Sequence, residues 1–133
     1  MMRGVLRAAA AAVLAATVAL SSGCILVAAG AAGAAAAGTV AYVRGQLTAS
    51  LGNDYDGVVR AANRAIEQMK FAKISDKTDA LTANLTARTA QDKKIEIVVT
   101  KVGAALTKVE IRVGVFGDET VSMTILDKIK ANL

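Results

Sequence analysis

The sequence predicts an α+β fold of two layers: an antiparallel sheet of three or four strands with two helices on one face, in the order β-α-β-β-β-α. Three observations carry this. Apolar residues recur at three- and four-residue steps from Tyr55 to Met69. They then alternate with polar residues in three stretches between Leu81 and Val115, and return to four-residue steps from Val121 to Leu133. The first and last periods are those of helices with one buried stripe, and the middle one is that of half-buried strands. Two such helices on one face of an antiparallel sheet form a stable arrangement.

Taken in order, residues 39–47 supply the first strand, because Thr39, Val40, Tyr42 and Val43 favour strands and Gly45 weakens a helix. Tyr55, Val58, Val59, Ala62, Ile66 and Met69 form the first helical stripe, with Asn53 or Asp54 placed to cap its start. Leu81, Ala83, Leu85 and Ala87 face one way and Thr82, Asn84, Thr86 and Arg88 the other. Ile95, Ile97 and Val99 repeat the pattern opposite Lys94 and Glu96, and Val109, Ile111, Val113 and Val115 repeat it opposite Lys108, Glu110 and Arg112. Short links at Gln91-Asp92-Lys93 and Gly103-Ala104-Ala105 make a three-stranded meander the economical reading. Gly117-Asp118 breaks the last strand; Asp118 caps a closing helix whose stripe is Val121, Ile125, Ile129 and Leu133.

Ahead of this domain, assigned to residues 40–133, the chain has a different character. Arg3 and Arg7, an apolar run from Ala8 to Leu20 and the small residues Ser21-Ser22-Gly23 lead to Cys24, the only cysteine. A basic start, an apolar run and small residues before a cut are the layout of a secretory signal. A cysteine directly after the cut is the site of bacterial lipid attachment, so residues 1–23 read as a lipoprotein signal and Cys24 as the lipidation site. Ser21 stands where lipoboxes usually carry leucine. The competing uses of Cys24 are a buried small apolar side chain and an intermolecular disulfide. Residues 24–39 are the lipidated cysteine with an Ala/Gly-rich segment, read as a tether, a surface helix or a membrane-packing helix. Ile25, in place of the aspartate that retains many lipoproteins in the inner membrane, points to the outer membrane's periplasmic leaflet.

Composition narrows the chemistry. The 133 residues carry a net charge of +5, and removal of Arg3 and Arg7 with the signal leaves +3. That excess suits weak attraction to anionic lipid or cell-wall polymers. No clustered basic face interleaved with aromatics is visible, which argues against nucleic acid. With no histidine and one cysteine, Cys-His and Ser-His-Asp sites and the usual zinc sites cannot be built. Asp54 with Asp56, and Asp118 with Glu119, sit where caps and turns want acids and match no calcium loop. No catalytic, cofactor-binding or metal-binding residues are therefore assigned, and an enzyme is not expected.

The segment TKVEIRVGVFGDETVSMTILDKI, residues 107–129, resembles the closing signature of the DUF3568 family, small bacterial lipoproteins of uncharacterised function. The matching elements are Ile111-Arg112-Val113-Gly114, Gly117-Asp118, Ser122 and Ile125-Leu126. Tyr42 to Leu47 and Ala61 to Ala65 fit the family's strand-then-helix opening. The resemblance implies a lipid-anchored, periplasm-facing α+β domain and brings no catalytic residues. These positions also have structural explanations: glycines where the backbone turns, Asp118 as a cap, and Arg112 pairing with Glu96 or Glu110.

The functional expectation is a non-catalytic structural or interaction module, anchored in the membrane through acylated Cys24. It would dock on an envelope protein or peptidoglycan through the exposed faces of its strands, with Thr82, Asn84, Thr86 and Arg88, or through a sheet edge. The alternatives are a small-ligand or lipid-binding module using a groove between helices and sheet, and a membrane-embedded assembler using residues 25–43.

Overall fold

The computed structural model describes residues 37–133, so the signal, Cys24 and most of the Ala/Gly segment lie outside the described residues. The strands are β1 (Val40–Val43), β2 (Gln46–Leu51), β3 (Ala72–Thr78), β4 (Thr82–Arg88), β5 (Lys94–Gly103) and β6 (Leu106–Val113). Two helices, α1 (Tyr55–Gln68) and α2 (Glu119–Ala131), follow β2 and β6 respectively. All six strands join one antiparallel sheet in the order β1-β2-β6-β5-β4-β3. The expected sheet of three or four strands is thus wrong, and the fold is a mostly-β α+β domain.

Two misreadings account for the extra strands. Residues 39–47 are not one strand, because Arg44 and Gly45 both take positive φ, 52° and 82°, and close a two-residue turn between β1 and β2. Positive φ at both central residues is the hairpin turn that matches strand twist. The second miss is β3, Ala-Lys-Ile-Ser-Asp-Lys-Thr, which has no apolar alternation because it is an edge strand and exposed along most of its length. It pairs only with β4, and a register shift between Lys73 and Ser75 leaves Ile74 outside the regular ladder. Charges and a bulge are common protection for such an edge.

Every β-link is a hairpin between sequence neighbours except one, the pairing of β2 with β6 (Gln46 with Arg112 through Leu51 with Thr107). It aligns the inward rows of the sheet. Leu47, Ile111, Ile97 and Leu85 lie side by side across β2, β6, β5 and β4, and Ala49, Val109, Val99 and Ala83 form the next row. All are buried. The helices cover this face: α2 packs over β6 and β2, α1 over β3 to β6, and each packs on the other. Alanines 61, 62 and 65 on the buried stripe of α1 keep it close to its neighbours.

Local chemistry sets the helix starts. Asp54 caps α1 by accepting from Gly57 N at 2.9 Å, and Asp118 caps α2 by accepting from Val121 N at 3.0 Å. The buried Tyr55 hydroxyl donates to Asp79 O at 2.8 Å, tying the start of α1 to the β3–β4 turn, and burial pushes its pKa up. Thr107 Oγ1 donates to Asn53 O at 2.8 Å, fixing the β2–α1 link against β6. Leu133, expected to continue the buried stripe of α2, is exposed beyond the helix end. Among the described residues no helix is long and apolar enough to cross a membrane.

The registers give the sheet two distinct ends. At the entry end lie the turns at 79–81 and 104–105 and the chain's arrival, where Gly38 N donates to Ser50 O. At the far end lie the Arg44-Gly45 turn, the 89–93 turn and the 114–118 link into α2. Eight residues of β6 separate the ends by about 26 Å.

Ile111 sits between Leu47 and Ile97 at the centre of the core, so Ile111→Ala should cost about 2–5 kcal/mol in urea unfolding followed by circular dichroism. Ser122 Oγ is buried without a hydrogen-bond partner, so Ser122→Ala should leave the unfolding midpoint unchanged or raise it.

Candidate functional site

The far end of the sheet is where two distant parts of the sequence meet backbone to backbone. Gly45 ends the β1–β2 turn, and Gly117, with φ 84°, precedes α2. A Cβ on Gly45 would lie 2.5 Å from Phe116 O. A Cβ on Gly117 would overlap the Cα and O atoms of Gly45 and approach the Tyr42 hydroxyl to 2.6 Å. Only glycine allows either approach. Gly114, also at positive φ, donates its N–H to Lys94 O at 2.8 Å, which extends the β5–β6 pairing by one bond.

Between these fixed glycines the chain holds two apolar side chains in solvent, Val115 at 80% and Phe116 at 92% exposure. The alternation through β6 predicts Val115 facing the core; the bend at Gly114 ends the strand before it and turns the side chain out. Beside this loop lies an open cavity of about 750 Å³, bounded by Arg88, Lys93, Lys94, Glu96, Arg112 and Phe116 among others.

Its charges are mostly matched. Lys94 Nζ lies 2.7 Å from Glu96 Oε1, Arg88 Nη1 is 3.0 Å from Asp92 Oδ1, and Lys93 Nζ is 3.5 Å from Asp118 Oδ2. The N–H of Val121 holds the Asp118 carboxyl below its ordinary pKa, with Lys93 adding to this. Arg112 is the exception. Its Cα faces those of Gln46 and Glu96 across the strands. Yet Gln46 Nε2 donates to Glu110 Oε1 at 3.0 Å, and Glu96 is taken by Lys94. Among the described residues Arg112 has no carboxylate partner; its Nη2 donates to Val115 O at 2.9 Å. The expected pairing with Glu96 or Glu110 does not form.

The model of one protein family, described as a protein of unknown function (DUF3568), matches residues 7–132. The chain belongs to that family. A search of curated proteins found no match. The segments that carry the DUF3568 resemblance, Tyr42 to Leu47 and Thr107 to Ile129, meet at the far end through the β2–β6 ladder and the Gly45–Gly117 approach.

Of the surface residues named from sequence, Thr82, Asn84, Thr86 and Arg88 share the sheet face that the helices leave open. Asn84 and Thr86 border a shallow hollow with Ser75, Lys77 and Glu96, and Arg88 reaches the far-end cavity. Between helices and sheet, where a ligand groove was the alternative, the space is taken by side chains such as Val58, Ile66, Ile97 and Ile125, each at most 2% exposed. Sequence reasoning missed Val115, Phe116 and the role of Gly45. The signal available was the Gly-x-x-Gly spacing at 114–117, which marks two bends rather than one strand end.

Two expected outcomes rest on this geometry. Gly114 and Gly117 both have positive φ, but nothing lies within 4 Å of a Cβ on Gly114. Gly117→Ala should therefore lower the thermal midpoint clearly more than Gly114→Ala, the difference reporting the backbone contact with Gly45. For Asp118, the depressed pKa stabilises the fold above the unfolded carboxylate value of about 3.9 and is lost as pH falls through the folded one. Asp118→Asn keeps a capping side chain, so its acid unfolding curve should be shallower than wild type in that window.

Proposed function

We propose that this DUF3568 chain is a non-catalytic binding module, held at the bacterial cell envelope through acylated Cys24 and facing the periplasm from the outer membrane. Its partner is an envelope protein or peptidoglycan. The observation that carries the reading is the one-sided cover of the sheet: among the described residues both helices lie on one face, which leaves the other face and the far-end cavity for a partner. The sequence around Cys24 supports the anchor. A diacylglyceryl group with a further acyl chain supplies the two or more chains that stable attachment requires.

Metabolic labelling with a clickable fatty acid tests the anchor. Wild type should be labelled and Cys24→Ala should not; label on both overturns lipidation at this residue.

A further inference from the structure

We propose that the far-end cavity binds a peptide carboxylate that has an apolar side chain next to it, Arg112 taking the oxyanion and Phe116 with Val115 covering the apolar group. Three features of the site select this chemistry. Arg112 is half-buried on the open sheet face and spends one N–H on Val115 O, which leaves the rest of its fork without a carboxylate partner. A guanidinium fork matches a carboxylate with two parallel bonds, a stronger and more directional match than a lysine makes. The three carboxylates around the cavity, Asp92, Glu96 and Asp118, are each held by Arg88, Lys94 or Lys93, so the surplus at the site is one positive charge.

The backbone that carries the apolar pair is held in place. Arg112 fixes Val115 O, Gly114 N is bonded to Lys94 O, and Phe116 O lies against Gly45, so the loop backbone is held at several points while its two side chains stay in solvent. A ligand that covers them gains apolar burial against the ordering of two side chains, the backbone that carries them being already fixed. The spacing of charge and apolar group decides between a peptide and an anionic bilayer. A peptide C-terminus carries its apolar side chain one carbon from the carboxylate, and Arg112 and Phe116 line one cavity, whereas glycerol separates a lipid phosphate from its acyl chains. That a peptide is presented to this end rests on the binding module proposed above; the site chemistry does not.

The test uses the full-length chain in detergent micelles, wild type and Cys24→Ala, with the Arg112 Nε–H followed by nuclear magnetic resonance. N-acetylphenylalanine is the probe, and its amide and phosphatidylglycerol vesicles are the comparisons. The acid should shift Arg112 saturably, and the amide should bind at least about tenfold more weakly, the loss expected for one charge-assisted contact. Arg112→Gln should lose at least about tenfold in affinity, Arg112→Lys should recover part of it, and Phe116→Ala, which removes a side chain outside the core, should weaken binding severalfold. Equal binding of acid and amide, unchanged affinity in Arg112→Gln, or no shift of Arg112 overturns the site. Vesicles that shift Arg112 and Phe116 in place of the acid overturn the peptide as occupant. Binding by Cys24→Ala equal to wild type keeps this result separate from the labelling experiment, so either proposal can fail alone.

Discussion

The pairing of β2 with β6 is the contact on which the rest of the domain depends. Every other ladder closes a short turn, so without it the chain would hold a two-stranded hairpin and a separate four-stranded meander. An isolated hairpin is marginal in water. Joining residues some sixty apart carries a loop-closure cost that grows only slowly with length, but the cost must be met before any contact repays it. The repayment is concentrated in few residues: Leu47, Ala49 and Leu51 enter the core together, and α2 then packs over the seam between the two strands. Thr107, buried at the same seam, bonds to Asn53 O and sets where the chain leaves β2 for α1.

The same ladder creates the far-end site. In register, Gln46 stands opposite Arg112, so the turn before Gln46 must lie over the loop that follows Val113. Two backbones brought that close leave no room for Cβ atoms, which is why Gly45 and Gly117 face each other. The register also decides the charges. Gln46 takes Glu110, Lys94 takes Glu96, and Arg112 between them is left without an acid. Its unmatched charge thus follows from the placement of its neighbours, and a half-buried arginine at the open sheet face tolerates this at small cost because water still reaches it.

How far the sequence reveals this domain depends on what each element buries. α1, β4, β5, β6 and α2 were legible because each puts one face into the core and so carries a period. The edge strand β3 buries almost nothing and its composition reads as a loop. In β2 the alternation of Leu47, Ala49 and Leu51 with Gln46, Thr48 and Ser50 was present, but the two-residue turn before it was read as part of one strand. The candidate site was legible only in its parts. Arg112, Gly114 and Gly117 stood out, yet Gly114 meets Lys94 of β5 and Gly117 meets Gly45 of the β1–β2 turn, and the approach of segments so distant is not written in local pattern.

The exposure of Phe116 follows from the same geometry. Between Val113 and Asp118 the chain must leave the sheet plane and start a helix in the layer above it, and positive φ at Gly114 and Gly117 makes the two bends. A residue between such bends cannot reach the core, whatever its type, so folding gains nothing from an aromatic at 116. Its apolar surface is a burden in water, since clustered exposed apolar groups favour association. Val115 beside it and the exposed Val43 on the neighbouring β1 enlarge the apolar area at this end. The exposed apolar pair and, beneath it, the Arg112 without a carboxylate partner are the two features that the ligand proposed above would meet.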